Sequence, residues 1–422
     1  MIKYNYFGNE KRIYHEKLDN GLGIYVESNK KKGNYYIELV VKYGSSIKEF
    51  KPINSNEYLS LPLGVAHFLE HKIFDSEDED VFSFYSKTGT YVNAGTNYFC
   101  TKYYIDGKKD LKKNLDYLLT MVYTPYFVPS RIDSEKDIIA EEIKMYDDEA
   151  NWILDYETKR CLFKTTVSDK IAGTCESIRK IDADILTKTY ETFYQPSNMF
   201  LVACGNVKYQ DILEVVKNNQ AINNRVTNQS IIYRKKKETK DVVSEYRYLE
   251  ANIVVSKLTY SYKFDLEDFA FSPLSTRLYL SLLFTHLFGE ASLFNEKVQE
   301  QKIAHDFYMD HLSFDNIYTI TLEAESEYAD LFKEEVDKTV QNITITEEDF
   351  KRIKKIWISI VIRSLDNKEN LAYSIVDDVL KDDLVHDQHE LIEKMQYQEL
   401  LEVIKKIDWS NKAFVIMMPK EK

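Results

Sequence analysis

His67-Phe68-Leu69-Glu70-His71 brings two imidazoles and one carboxylate together within five consecutive residues. The apolar residues around this stretch predict a helix over residues 67–74. Residues four apart lie on the same face of a helix, so His67 and His71 can bind one metal ion, with Glu70 beside them as the candidate base. The chain has eight histidines in 422 residues, and H-x-x-E-H is expected by chance in about one such chain in a hundred. The motif therefore predicts a metal site that needs a third ligand.

A second helical pattern, over residues 133–147, offers that ligand. A catalytic zinc ion takes three protein ligands and leaves one position for water. Glu135 and Glu142 are seven residues apart and share one helix face, whereas Glu141 points about 100° away. We predict Glu142 as the ligand and Glu135 as the carboxylate that orients an imidazole ligand and completes the catalytic set with Glu70. The alternative is that these acids form a solvated helix face.

Composition and charge exclude several classes of protein. The chain is 44% hydrophobic, which is ample for burial, and its net charge of -13 argues against a general nucleic-acid binder. The first residues lack an apolar signal run, and no stretch is long and apolar enough to span a bilayer, so we expect a soluble, cytoplasmic protein without a membrane span. Four cysteines without C-x-x-C spacing predict free, buried thiols.

The order of predicted elements is repeated along the chain. In the first half, strands are predicted over 23–27, 35–42, 90–94, 99–105 and 199–203, with helices over 111–122 and 133–147. In the second half, helices over 331–340 and 346–360 and a strand over 413–418 repeat this order. We therefore predict an α+β protein of two homologous α/β-sandwich domains, each an antiparallel-rich sheet with helices packed on it.

The domain boundaries follow from the same repeat. The predicted divisions are a metal-bearing domain over 1–220, an exposed polar linker over 221–244, and a homologous domain over 245–422. In the second half, Lys354 and Lys355 stand opposite Glu141 and Glu142, and no paired histidines lie near the first long helix. Only the first domain is expected to hold the metal. His386-Asp387-Gln388-His389-Glu390 is read as an exposed helix end.

These motifs resemble those of the pitrilysin/insulinase zinc metallopeptidases, and especially their bacterial half-length members. The resemblance rests on the following stretches: Gly64 to His71, Gly89, Asn93-Ala94, Glu135 to Glu142, Gly173 to Ser177, and Tyr194 to Met199 before Gly205. It implies a fold like that of the mitochondrial processing peptidase. It also implies one Zn²⁺ per chain bound by His67, His71 and Glu142, with Glu70 as the base that activates a metal-bound water.

The resemblance also implies where a peptide binds. In the family, the substrate is added as a strand to the edge strand with the Asn-Ala motif, which here gives Tyr91, Val92, Asn93 and Ala94. Pairing through main-chain groups accepts many sequences. The alternative is that these four residues form an ordinary interior strand.

One departure from the family pattern predicts a partner subunit. Self-sufficient members carry an Arg and a Tyr seven apart in the second half, which hold the substrate and its developing oxyanion. The matching positions here are Val298 and His305, and valine cannot donate a hydrogen bond. We therefore expect a heterodimer with a homologous subunit that lacks the zinc motif, or alternatively a homodimer.

The resulting prediction is a zinc metalloendopeptidase that hydrolyses small unfolded peptides through a metal-activated water. A narrower prediction is removal of a leader from a ribosomally made peptide. The competing prediction is a non-catalytic peptide-binding subunit that retains a zinc site.

Overall fold

The computed structural model describes residues 2–6, 9–30, 33–77, 80–225, 229–382 and 384–420. Residues 226–228 of the predicted linker lie outside these ranges. The chain divides into two compact units, each assembled from three separate segments. Unit 1 contains Met1–Ile143, Lys170–Lys235 and Val361–Asp387, and unit 2 contains Lys144–Asp169, Lys236–Ile360 and Gln388–Lys422. The domains predicted from the sequence are instead continuous stretches of the chain. They stay a prediction about its homologous halves.

The strands, in chain order, are β1 (Ile2–Tyr6), β2 (Asn9–Lys17), β3 (Gly23–Ser28), β4 (Tyr35–Val41), β5 (Glu49–Phe50), β6 (Leu59–Ser60), β7 (Tyr91–Thr96), β8 (Thr101–Gly107), β9 (Met199–Gly205), β10 (Tyr246–Ala251), β11 (Lys257–Asp265), β12 (Asp306–Phe314), β13 (Ile317–Glu325) and β14 (Lys412–Pro419). The helices are α1 (Val65–Ile73), α2 (Val81–Ser86), α3 (Leu111–Tyr123), α4 (Pro129–Asp148), α5 (Ala150–Leu162), α6 (Cys175–Ile178), α7 (Ala183–Phe193), α8 (Tyr209–Asn218), α9 (Gln220–Asn223), α10 (Pro273–Phe288), α11 (Leu293–Glu300), α12 (Ala329–Gln341), α13 (Glu347–Asp366), α14 (Lys368–Asp382), α15 (Gln388–Lys394) and α16 (Tyr397–Lys406).

In the described part of the chain, five strands of the main sheet of unit 1, from β3 to β7 in sheet order, share the topology of the five-stranded sheet of unit 2. Over the described residues, the sheet of unit 1 has the order β1-β2-β3-β9-β4-β8-β7, and that of unit 2 has the order β10-β14-β11-β13-β12. In unit 1, β3 and β9 pair in parallel, and the pairs from β9 to β7 are antiparallel. In unit 2, β10 and β14 pair in parallel, and the remaining pairs are antiparallel. The predicted α+β class and the repeat of one sheet-and-helix architecture are confirmed.

The core of unit 1 lies around its central strands. β4 and β9 are buried along their whole length, as expected of near-continuous apolar runs covered on both faces. The 361–387 segment contributes to this core, because Leu371 and Ile375 of α14 pack in one cluster with Val40 of β4 and Phe200 of β9. A segment from the second half of the sequence thus completes the first unit.

The sequence located most elements but misplaced one helix start. The five strands predicted in the first half correspond to β3, β4, β7, β8 and β9. α4 begins at Pro129, so the predicted helix start at residue 133 is wrong. Proline is tolerated in a first turn, where its missing N–H has no helical partner to lose. The backbone N–H groups of Arg131 and Ile132 already donate to the Val128 carbonyl, at 3.0 Å each.

The predicted linker is not exposed throughout. The Lys51 N–H donates to the Ile232 carbonyl at 2.8 Å, and the Arg234 N–H donates to the Glu49 carbonyl at 2.9 Å. Glu238 is buried. Two parts of this polar segment are therefore tied down by backbone or side-chain bonds.

All four cysteines are free, as predicted, and three of them are buried, whereas Cys175 is partly exposed. In the part of the chain that the structure describes, no helix is both long and apolar enough to cross a membrane.

Candidate metal centre

Helix α1 presents His67, Glu70 and His71 because its opposite side is anchored in the core. Phe68, Leu69 and Ile73 are completely buried, whereas Glu70 and His71 are half-buried. The helix follows Gly64, which has a φ of 93°. A Cβ at this position would lie 2.5 Å from the Ala172 carbonyl oxygen. Glycine is therefore required both by the backbone angle and by the close approach.

Helix α4 brings Glu142 to both histidines. The Nε2 atom of His67 lies 3.6 Å from Oε1 of Glu142, and the Nε2 atom of His71 lies 3.4 Å from Oε2 of the same carboxylate. One ligand atom from each of the three residues lies within 4.8 Å of the others. Two ligand atoms on a tetrahedral zinc at about 2.0–2.1 Å are separated by roughly 3.4 Å. The donor types and their spacing fit a zinc ion.

Glu135, on the same face of α4, holds His71 from its other side. The Nδ1 atom of His71 lies 2.9 Å from Oε1 of Glu135, so Nδ1 carries the hydrogen and Nε2 is left for the metal. Burial is the largest influence on His71 and lowers its pKa. Hydrogen bonds and charges from Glu135 and Glu142 outweigh burial and raise the pKa of His71 to about 9. The two carboxylates make this imidazole a strong electron-pair donor.

Lys72 adds a positive charge behind Glu135. Its side chain is fully buried, its ammonium group is bonded to Asp75, and Nζ lies 3.9 Å from Oε2 of Glu135. Lys72 is thus an ion-pair partner of the carboxylate that holds His71. The sequence did not reveal this lysine, because a lysine after a helical motif is ordinarily solvent-exposed.

Glu70 is held by a residue that sequence reasoning also missed. The hydroxyl of Thr96 donates to Oε2 of Glu70 at 2.6 Å. Thr96 lies two residues beyond Ala94 on β7, so the strand that carries the Asn-Ala pair also contacts the candidate base. Side chains two residues apart on a strand lie on the same face, so the spacing of Ala94 and Thr96 was the sequence signal that could have pointed to Thr96.

The four residues predicted to bind peptide lie on an edge strand. Over the described residues, β7 pairs with β8 on one side and lies at the end of the sheet. The Asn97 N–H donates to the Cys100 carbonyl at 2.9 Å, and hydrogen-bonded pairs alternate along an antiparallel ladder. With the register of Thr96 opposite Thr101, the backbone groups of Val92, Ala94 and Thr96 point away from β8.

The outer edge of β7 is partly covered by its own side chains. The Ala94 N–H donates to Oδ1 of Asn93 at 2.8 Å, and Nδ2 of Asn93 donates to the Tyr91 hydroxyl at 2.8 Å. A strand added at this edge therefore has to displace the Asn93 carboxamide from the Ala94 N–H.

The residues at the family's Arg and Tyr positions lie in unit 2. Val298 is fully buried in α11, so it presents no surface to a substrate. His305 is exposed, and its Nε2 atom lies 3.9 Å from Oε1 of Glu327. The His386 N–H donates to Oδ2 of Asp378 at 2.9 Å. Among the described residues, the only group of side chains suited to a metal is His67, His71 and Glu142.

Comparison with known proteins places this geometry in a family. The profile of the insulinase family, peptidase family M16, matches residues 24–175, and the profile described as the peptidase M16 inactive domain matches residues 180–356. The chain is 32% identical to a Bacillus subtilis protein named as the uncharacterized zinc protease YmfH, over 94% of each chain. The chain belongs to peptidase family M16.

Solved M16-like structures show the same fold. A putative M16-like peptidase from Alicyclobacillus acidocaldarius superposes with a TM-score of 0.90 at 24% identity, covering 97% of this chain and 99% of that one. Other M16 relatives have different names. A human relative, 28% identical over 36% of this chain and 33% of its own length, is named as cytochrome b-c1 complex subunit 1. Membership of the M16 family therefore does not by itself establish hydrolysis.

Proposed function

We propose that this chain is the zinc-bearing subunit of an endopeptidase that hydrolyses small unfolded peptides. The observation that carries the proposal is the convergence of His67, His71 and Glu142 on one point, with Glu70 on the same helix as the two histidines. Structural zinc sites are usually closed by four protein ligands, whereas catalytic sites keep one position open. Three ligands with an adjacent carboxylate fit the catalytic type.

The roles of the side chains follow from their positions. His67, His71 and Glu142 would hold the ion, and Glu135 orients His71 through the hydrogen bond to Nδ1. When bound, zinc supplies a Lewis acid that lowers the pKa of a coordinated water to about 7. Glu70 takes the proton of the attacking water and returns it to the leaving amine. No side chain forms a covalent bond to the substrate in this scheme.

The edge of β7 supports binding of an extended peptide. Val92 and Ala94 offer outward backbone groups, and Tyr91 and Asn93 offer exposed side chains. Hydrogen bonds to main-chain groups select for an unfolded backbone rather than for a particular sequence. Because Thr96 of this strand also contacts Glu70, a peptide added here would run past the base.

The proposed enzyme also includes a second subunit. Val298 is buried and offers no donor at the position where self-sufficient members of the family carry arginine. We propose that a homologous subunit without the zinc motif supplies the missing donors, with a homodimer as the alternative. Removal of a leader from a ribosomally made peptide is one activity open to such a pair. A cytoplasmic location stays a prediction.

The test is cleavage of a mixed peptide library by the zinc-loaded chain, beside Glu70→Gln, with the zinc content of both proteins measured. Each protein is assayed alone and with the homologous subunit. We expect one zinc per chain in both proteins, and cleavage only when wild-type protein and the partner are combined. Loss of Glu70 should lower turnover by about 10²-fold to 10⁴-fold.

Each other outcome has a definite meaning. Cleavage by the wild-type chain alone would contradict the need for a partner but keep the peptidase. Undiminished cleavage by Glu70→Gln would contradict the assignment of the base. Bound zinc without cleavage under any pairing would favour the alternative, a non-catalytic peptide-binding subunit.

A further inference from the structure

The carboxylate of Glu70 has two oxygens, and the structure distinguishes them. Oε2 accepts the Thr96 hydroxyl at 2.6 Å, within the range of about 2.5–2.7 Å for a hydroxyl donating to a carboxylate. Thr96 lies on β7 and Glu70 lies on α1, so this bond joins the edge strand to the helix that carries the zinc-binding motif. It links residues 26 positions apart in the sequence.

The hydrogen-bond pattern behind Thr96 fixes the direction of this bond. Thr101 is fully buried, and its hydroxyl lies 3.0 Å from the Tyr43 carbonyl oxygen and 3.3 Å from the Thr96 hydroxyl. A carbonyl oxygen can only accept, so the single hydrogen of Thr101 is used there. The single hydrogen of Thr96 is then directed to Glu70, which is also its nearer partner.

We propose that Thr96 is a positioning residue for the base. It fixes Oε2 of Glu70 and leaves Oε1 as the oxygen that exchanges protons. This inference rests on the proposed function, in which Glu70 takes a proton from water. The O–H bond of the water breaks, an Oε1–H bond forms, and the same proton later passes to the leaving amine. Oε2 stays an acceptor in both protonation states, so the bond from Thr96 persists throughout the cycle.

The position of Thr96 also relates substrate binding to this role. The backbone of Thr96 points to the outer edge of β7, while its side chain holds Glu70. One residue thus belongs both to the edge offered to the peptide and to the support of the base. A peptide paired with this edge would therefore have a fixed position relative to the Glu70 carboxylate.

The test compares Thr96→Val, which keeps the shape and removes the hydroxyl, with Thr96→Ser, which keeps the hydroxyl. Thr192→Val is the control for the chemical change, because Thr192 is a buried threonine whose hydroxyl donates to the Lys188 carbonyl of its own helix at 2.8 Å. Crystal structures of the zinc-free proteins are solved first. We expect one Glu70 orientation in wild type, Thr96→Ser and Thr192→Val, and a rotated or divided orientation in Thr96→Val.

Kinetics on the zinc-loaded protein with its partner give a second readout. We expect Thr96→Val to lower kcat about tenfold or more, as misplacing a catalytic group does, with KM within twofold and zinc content unchanged. Thr96→Ser should restore most of kcat. In a Glu70→Gln background, Thr96→Val should cause no further loss.

The outcomes distinguish the positioning role of Thr96 from the proposed peptidase function. An unchanged Glu70 orientation in Thr96→Val overturns the positioning role, whatever the activity. A changed orientation with unchanged kcat overturns it as well. If wild-type protein holds zinc but cleaves no peptide, the proposed function fails, while the crystal structures still decide whether Thr96 positions Glu70.

Discussion

Nδ1 of His71 and Oε1 of Glu135 lie 2.9 Å apart, which joins helix α1 to helix α4 beside the candidate zinc ligands. The bond fixes which nitrogen of His71 faces Glu142. Glu135 lies seven residues before Glu142, on the same face of α4. The helix repeat alone made this pair predictable, because two turns of a helix return a side chain to nearly the same direction.

Replacing Glu135 by glutamine should weaken zinc binding without abolishing it. The amide keeps the size of the side chain but loses the charge that supports His71, and losses of this kind amount to about 10-fold to 100-fold in metal affinity. Competition with a chelator of known affinity measures the change. Glu141→Gln is the matched control, since Glu141 is exposed on the same helix and points away from the histidines. An equal loss in both variants would contradict the role of Glu135.

Replacing Gly64 by alanine should destabilise the protein and lower its zinc content. The new Cβ would meet the Ala172 carbonyl oxygen at 2.5 Å, in addition to the strain of a φ of 93°. Gly89→Ala isolates the second effect, because Gly89 has a φ of 63° and no atom within 4 Å of the added Cβ. Strain of this type costs of order 1–3 kcal/mol. Thermal unfolding should therefore show a larger loss of stability for Gly64→Ala than for Gly89→Ala. Equal losses of stability would exclude a contribution from the contact with the Ala172 carbonyl oxygen.

Methylation of single amides in a cleaved peptide should reveal a period of two. Only alternate residues of an added strand direct their N–H groups toward β7. Blocking those groups should raise KM, whereas methylating the intervening amides should have little effect and serves as the control. A scan of one substrate by steady-state kinetics measures the pattern. Equal tolerance at every position would argue against binding at the edge of β7.

Glu238 should stabilise the protein in a way that depends on pH. Its carboxylate accepts the N–H groups of Lys164 and Thr165, at 3.1 and 3.0 Å, and the ammonium of Lys263 at 3.2 Å. Burial is the largest influence and opposes ionisation. The Thr165 hydroxyl, the Lys164 N–H and Lys263 outweigh it and hold the pKa of Glu238 below its ordinary value of 4.5. Burial in turn lowers the pKa of Lys263.

The sign of the pH effect follows from that direction. A carboxylate with a lowered pKa in the folded state contributes stability above about pH 4.5, and this stability is lost as the pH falls through the folded value. Glu238→Gln should cost about 3 to 5 kcal/mol at pH 7, as for removing one partner of a buried pair. The difference from wild type should shrink toward pH 3. Denaturant unfolding at several pH values measures it, with the exposed Glu267→Gln as a control that should change nothing.

The sequence predicted what depends on local patterns. Alternating residues located strands such as β3 and β4, and helical spacing located α3 and the face of α4 that bears Glu135 and Glu142. The contacts of Lys72 and Thr96 were not predictable in this way. Lys72 is buried against a helix some 60 residues away in sequence. Thr96 lies on a strand and bonds Glu70, which lies on a helix. Such contacts depend on how elements pack, which no spacing along the chain encodes.

The exchange of segments between the units also escaped the local patterns. In the structure, residues 361–366 end α13 and residues 368–382 form α14, but helical periodicity does not say which sheet a helix covers. In the structure, Leu371, Ile375 and Val379 belong to the core that includes Val40 and Phe200.

This exchange determines how the chain can be divided in the laboratory. A fragment that stops at residue 235 carries the candidate zinc ligands but lacks α14, so it would present the apolar surface of β4 and β9 to water and aggregate. A peptide spanning residues 361–387, supplied separately, would be expected to rescue its solubility by complementation. The repeat that is visible in the sequence as two halves is therefore not a repeat of two separable folding fragments.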